Sequence, residues 1–195
     1  MHIAVFLQHY HTPDCPTAGR PYALVERLGQ DHEVTVITTR AWEETRRAHR
    51  FPWAPPGVDL VRFDVPYDNA MSAPRRLVSF LHYAARAVRH GLQMPRPDVI
   101  LGSSTPLTAA AAAGLVARVR GVPWVFEVRD LWPAFPLQMG AVPDVGLHGL
   151  LRWGEAGLYR SAAHVVTLSP DMEQHVHVRA PDASVTTLEY GAAPT

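Results

Sequence analysis

Lysine is absent from this 195-residue chain; all 18 basic residues are arginine. That absence excludes definite chemistry. A Walker-type phosphate loop needs a lysine to reach the outer phosphates. Pyridoxal phosphate is held as a lysine Schiff base. The Tyr-x-x-x-Lys pair of short-chain dehydrogenases and sugar-nucleotide epimerases cannot be formed either. Cysteine is almost absent. Cys15 alone excludes an internal disulfide framework and a cysteine-built zinc site, and it fits a reducing compartment. Net charge is zero, with 18 acidic residues against 18 basic ones, so nothing global attracts nucleic acid and no such partner is expected. No uncharged apolar run approaches the roughly 20 residues of a spanning helix. Met1-His2-Ile3-Ala4-Val5 runs straight into a strand-like segment without a basic leader, so a cytoplasmic protein is expected.

What is present is a regular alternation of short β-branched runs and amphipathic stretches, with 47% apolar residues. That is ample core for one domain, or one lobe of a larger protein. The period-two and continuous apolar runs predict strands over 2–8, 33–39, 58–65, 97–102, 124–128, 164–168 and 184–188. The third belongs near a sheet edge, because Pro66 follows it. Helical spacing predicts helices over 20–30, 72–91, 106–120, 147–161 and 169–178. Ser72, Thr105 or Ser104, and Ser169 are the expected caps. Leu77, Phe80, Leu81, Ala84 and Val88 form the expected inward stripe of the second helix; Leu150, Leu151, Gly154 and Leu158 form that of the fourth. Strand alternating with helix implies an α/β fold, a doubly wound parallel sheet of about seven strands with helices on both faces. Loops at the carboxyl ends of its strands, 8–19, 38–57, 102–105, 128–144 and 169–171, should carry the site.

Among those loops the stretch Val122 to Pro133 stands out. A buried run from Trp124 to Val128 ends in Arg129 and Asp130, and Trp132 and Pro133 stop regular structure. The pair is either part of a site or an ion pair closing a strand. The first loop is not a dinucleotide fingerprint: Gly19 is its one glycine, and the second strand ends Thr38-Thr39-Arg40 with no acidic residue for a ribose. No cofactor is therefore expected. Gly19 is either a plain loop-to-helix glycine or an opening for backbone N–H groups to approach a phosphate. His9, Tyr10 and His11, and the pair His175 and His177, suggest metal ligands only superficially. No third ligand is placed, and residues two apart on a helix do not share a face, so no metal is expected. Ser103 and Ser104 sit in no nucleophile elbow and read first as helix-capping residues. Arg75, Arg76, Arg86 and Arg89 lie outside the apolar stripe of the second helix, as a solvated face or one that leans on anionic headgroups. Trp132, Phe135, Leu137 and Met139 are apolar for a loop and either fold inward or form a partner surface.

Four segments carry a family likeness: the first strand with Pro13, Gly19 and Arg20, leading to Glu33-Val34-Thr35-Val36; Arg96-Pro97-Asp98-Val99-Ile100 with Ser103-Ser104-Thr105-Pro106; Val125 to Pro133; and Glu155 to Arg160 with Ala163, leading into Val166 to Pro170. With these the chain resembles, over nearly its whole length, the amino-terminal domain of family-four retaining GT-B glycosyltransferases. It is most similar to a bacterial subgroup that transfers amino sugars in surface-polysaccharide and O-antigen synthesis. Many members have His at the place of Arg129, so a role for that His does not transfer. Cys15 and Pro16 stand where many relatives have further small residues.

The resemblance implies two Rossmann-like lobes across a cleft. Residues 1–188 would be the acceptor-binding lobe and 189–195 the start of the interdomain linker, with the donor-binding lobe absent and the fragment inactive alone. It implies transfer from a nucleotide sugar, a UDP-sugar, with retention and without metal, to a glycan or lipid-linked acceptor. A peripheral contact with the inner face of the plasma membrane accompanies that acceptor. Gly19 would admit the donor diphosphate. Asp130 would contact sugar hydroxyls, and Arg129 would orient it or offset phosphate charge. Arg20, Glu127, Ser103, Ser104, Ser169 and His9 complete the expected substrate-binding set. A freestanding binding protein on the same fold, and one lobe of a GT-B sugar-nucleotide epimerase, remain as alternatives.

Overall fold

The structure, a computed structural model, describes residues 1–13, 20–41, 52–68, 70–131 and 147–189. Among them the strands are β1 (His2–Phe6), β2 (Glu33–Thr39), β3 (Val58–Phe63), β4 (Val99–Ser103), β5 (Trp124–Glu127), β6 (His164–Thr167) and β7 (Val185–Thr187). The helices are α1 (Arg20–Gly29), α2 (Ala73–Gln93), α3 (Leu107–Arg120), α4 (Leu147–Ser161) and α5 (Pro170–Arg179). All strands are parallel, in the order β3-β2-β1-β4-β5-β6-β7. This is the α/β, Rossmann-like doubly wound sheet that the alternating pattern predicts, with β3 at the edge that Pro66 implies.

Strand order and crossover handedness fix where the helices go. The chain steps outward from β1 to β2 and β3, then returns to the other side of β1 to lay down β4 through β7. Right-handed crossovers place α1 on one face and the helices after β3 on the other. The cores confirm this. Val5, Val34, Val36, Tyr22 and Val25 cluster on the α1 side. On the other side Phe6, Ile100 and Phe126 pack with Tyr83, Ala113, Tyr159 and Val176 from α2, α3, α4 and α5.

Small residues bring that larger layer close. A Cβ at Gly102 of β4 would sit 2.6 Å from the Cβ of Ala113, and one at Gly91 of α2 would sit 2.9 Å from the Phe6 ring. The alanine run of α3 is therefore a packing surface as well as good helix sequence. The same economy corrects the expected inward stripes. The buried line of α2 is Ser79, Tyr83, Ala87 and Gly91, at four-residue spacing. Leu77 and Leu81 are exposed instead, flanked by half-buried Phe80, Ala84 and Val88. In α4 the inward residues are Glu155, Ala156 and Tyr159, and Leu150 is exposed. Tyr159 stacks on Phe126 at 5.4 Å, and its hydroxyl donates to Glu155 Oε1 at 2.9 Å. Those contacts set the roll of the helix.

Capping also differs from expectation at α3. Its N-cap is Pro106, after a cis Thr105–Pro106 bond, and neither Thr105 nor Ser104 caps it. Ser72 is the N-cap of α2 without a side-chain bond, whereas Ser169 caps α5, its Oγ accepting from the Met172 N–H at 3.3 Å.

Candidate functional site

The order of the sheet reverses between β1 and β4, so the loops leaving their carboxyl ends diverge and open a crevice. Gln8 and His9 leave β1 there, Ser104 and Thr105 leave β4, and Arg129 and Asp130 leave the neighbouring β5.

Ser104 ties the last two loops together. Its backbone N–H donates to Glu127 O at 3.0 Å, continuing the strand ladder. Its Oγ accepts from the Arg129 and Asp130 N–H groups at 2.9 and 3.1 Å, and donates to Asp130 O at 3.1 Å. Thr105 Oγ1 then donates to Asp130 Oδ2 at 3.0 Å. The carboxylate is thus aimed by a neighbouring loop and is half-buried. Arg129 does not form the ion pair that a strand-end Arg–Asp would suggest: neither its side chain nor that of Asp130 takes the other as partner, and Arg129 Nε is buried without a hydrogen bond.

His9 lies near the same guanidinium. Burial first, then the charges of His11 and Arg129, hold its pKa down to about 3. At neutral pH its imidazole is uncharged and can donate or accept one hydrogen bond through each nitrogen. Its ring lies 4.4 Å from that of Tyr67, which stacks on Phe80 of α2 at 5.7 Å. Gln8 is fully buried, and neither atom of its amide has a hydrogen-bond partner. An unpaired buried amide costs on the order of 1–3 kcal/mol, so the end of β1 carries polar capacity not spent on the fold.

A second group faces the α1 side. Glu127, 3% exposed, has Oε1 at 3.7 Å from Arg20 Nε and Oε2 without a hydrogen bond. Ser103 stands beside it in register, also buried, its Oγ unpartnered. Arg20 Nη1 donates to Leu188 O at 2.9 Å. An apolar groove of about 210 Å³ runs from Arg20 and Glu127 past Leu101, Val125 and Leu188.

The structure therefore gathers the expected residues into two groups: His9, Ser104, Arg129 and Asp130 around the crevice, and Arg20, Ser103 and Glu127 beneath the start of α1. Ser169 joins neither by a hydrogen bond and serves as a helix cap. Gly19, Cys15, Pro16, residues 190–195 and the apolar loop with Trp132, Phe135, Leu137 and Met139 lie outside the described residues. His175 and His177 diverge: His175 Nε2 lies 3.2 Å from Glu155, and His177 lies 3.9 Å from Glu173. Sequence reasoning missed Tyr67 and Gln8 and treated Thr105 only as a cap. A hydroxyl just past a strand end, before a proline that cannot donate, was the available signal for Thr105.

The chain matches the glycosyl transferase 4-like domain over residues 17–191. No curated protein matches it in sequence. In structure it is similar to CalG4, the calicheamicin glycosyltransferase, at 15% identity and TM-score 0.53, over 88% of this chain and 48% of that one. It is similar to Arabidopsis thaliana UGT89C1 complexed with UDP-L-rhamnose, at 16% identity and TM-score 0.53, over 96% and 48% of the two chains. It is also similar to Acinetobacter baumannii MurG, at 15% identity and TM-score 0.50, over 99% and 46%. Likeness at these identities carries the fold, and the chain spans about half the length of these structures. The family match covers nearly every strand and helix described above, and on it the chain belongs to the glycosyl transferase 4-like domain family.

Proposed function

We propose that this chain is the acceptor-side lobe of a retaining GT-B glycosyltransferase. Residues 1–188 form the lobe and 189–195 lead toward a donor-binding lobe, without which it does not turn over. The enzyme moves a sugar from a UDP-sugar to a glycan or lipid-linked acceptor in bacterial cell-surface polysaccharide synthesis, on the cytoplasmic side of the membrane. The observation that carries this reading is the Asp130 carboxylate, bonded by Thr105 while Ser104 holds the Asp130 backbone, beside the sheet's reversal point, in a chain of this family. A nucleotide-sugar donor is favoured by the similarity to UGT89C1, which is complexed with UDP-L-rhamnose.

In the reaction the bond from the anomeric carbon to the leaving phosphate breaks, and the acceptor oxygen bonds to the same face. The acceptor's proton passes to the departing phosphate. Little covalent work falls to this lobe, which positions groups and offsets charge. Asp130 accepts a hydrogen bond from the acceptor hydroxyl and orients its lone pair. Arg129 offsets charge on the leaving diphosphate. His9, neutral at working pH, adds one uncharged hydrogen bond. Gly19 admits the diphosphate, with Arg20, Ser103 and Glu127 beside it, and Ser104 acts through Asp130 as a positioning residue. The test is turnover in the enzyme that joins this lobe to its donor lobe. Asp130→Ala is expected to lower kcat/KM about 100-fold, on the order of the loss when a reacting group is misplaced; unchanged turnover sinks the assignment.

A further inference from the structure

The chain leaves the sheet through a short strand. β7 is three residues long, lies at the sheet edge and pairs with β6 alone. Such an element belongs at the low end of local stability. Its end is nevertheless held on both faces. Thr187 Oγ1 shares a hydrogen bond with Thr167 Oγ1 at 2.8 Å and donates to the Glu173 carboxylate of α5. Leu188 turns the other way, as strand alternation requires. Its side chain lines the apolar groove with Leu101, Val125 and Val166. Its N–H donates to Thr167 O at 2.9 Å, and its carbonyl accepts from Arg20 Nη1 at 2.9 Å.

Arg20 is itself seated on the sheet. Its Nε lies 3.7 Å from Glu127 Oε1, and the two side chains are 17% and 3% exposed. A buried carboxylate is costly without a cation beside it, so Glu127 keeps the guanidinium in place from β5. The rigid fork lets Nε face Glu127 while Nη1 reaches the Leu188 carbonyl; the single ammonium of a lysine cannot serve both points in that way. The carbonyl bond adds nothing to strand pairing, because the β6–β7 register is complete without it. What it fixes is the peptide plane between Leu188 and Glu189. That plane sets the direction in which the chain continues.

We infer that Arg20 is a positioning residue that aims the chain as it leaves this lobe, so that a donor lobe beyond Leu188 faces Asp130. The consequence for the donor rests on the two-lobe transferase reading; the clamp on Leu188 does not. Arg20 acts through the Leu188 carbonyl and not on the reacting atoms. Without the clamp the exit samples several directions, and a fraction of molecules holds the productive cleft. Apparent donor affinity falls by that fraction, and saturating donor restores it. The loss therefore belongs to the donor KM and not to kcat.

The experiment has two arms. Hydrogen exchange of this chain reads the clamp: Arg20→Lys should speed exchange of the Leu188 amide about tenfold, as local opening of one segment, with Ala4 to Phe6 of β1 unchanged. An unaltered thermal melt checks the fold. In the two-lobe enzyme Arg20→Lys should raise the donor KM about tenfold with kcat within about twofold. Glu127→Gln, which unseats Arg20 without removing it, should raise the donor KM about threefold. Tighter donor binding in Glu127→Gln would instead mark Arg20 as a direct phosphate contact and overturn the proposal. So would unchanged Leu188 exchange, an unchanged donor KM, or a loss confined to kcat. Small-angle scattering of the two-lobe protein separates the two readings. If Arg20→Lys broadens the spread of lobe arrangements while the unaltered protein turns over no UDP-sugar, the transferase reading is lost and the aiming role stands. If turnover is normal and neither exchange nor scattering responds to Arg20→Lys, the aiming role alone is lost.

Discussion

On one side of the sheet a single described helix, α1, covers β1 and β2; on the other, four helices cover it from edge to edge. The α1 side is filled by branched aliphatics and two tyrosines, and the exposed crest of α1 is polar, with Arg27 bonded to Gln30 and Asp31 at 2.9 Å each. The four-helix side is filled by alanines and an aromatic stack of Trp124, Phe126 and Tyr159, and on α2, α3 and α4 its outer crests are apolar and cationic. Both cores follow from one alternation along the strands. The outer surfaces do not, and their difference shows that burying small residues inward sends leucines outward. Leu77 and Leu81 are exposed because Tyr83, Ala87 and Gly91 already fill the inner line of α2.

The comparison can be broken most forcefully in the core. Phe126→Ala, at the centre of the stack, is expected to cost about 3–5 kcal/mol in urea denaturation. Val25→Ala on the α1 side should cost about 1–2 kcal/mol, near 0.8 per methylene-sized group removed. Equal losses would show that the two cores are not unequal in the way described. At the crevice, Thr105→Val in the two-lobe enzyme frees the Asp130 carboxylate without touching substrate. About a tenfold fall in kcat/KM is expected, smaller than that of Asp130→Ala. Its restoration by Thr105→Ser would mark the hydroxyl as the positioning group.

The pH response gives a finer test. His9 has a folded pKa near 3, below the ordinary imidazole value of 6.5. The folded state therefore binds fewer protons than the unfolded state between those values. The stability His9 contributes is present above pH 6.5 and is lost as pH falls toward 3. In a series of thermal melts, His9→Gln should lose less stability across that window than the unaltered chain. Parallel curves would remove His9 from the account. The smallest effect belongs to the polar side: Arg27→Ala should cost only about 0.2–0.5 kcal/mol, as for an exposed i,i+4 pair.

The sheet was legible because strand and helix periods differ sharply, and Val34 to Thr39 or Trp124 to Phe126 fit one of them alone. The crevice was legible through Arg129 and Asp130, whose charges interrupt an apolar run at a strand end. Helix roll was not legible, because Leu77 and Gly91 compete for the interior by fit against Phe6 and Val116, which are distant in sequence. The partner of Asp130 was hidden for a related reason: Thr105 is 25 residues away and meets it only through parallel pairing of β4 and β5.

Titration calorimetry of this chain with short glycan acceptors and with UDP-sugars tests the central claim most directly. The account predicts that an acceptor glycan binds, that Asp130→Ala abolishes the binding, and that UDP-sugars bind no tighter than the millimolar range. Micromolar UDP-sugar binding that survives Asp130→Ala, with no glycan bound, would contradict it.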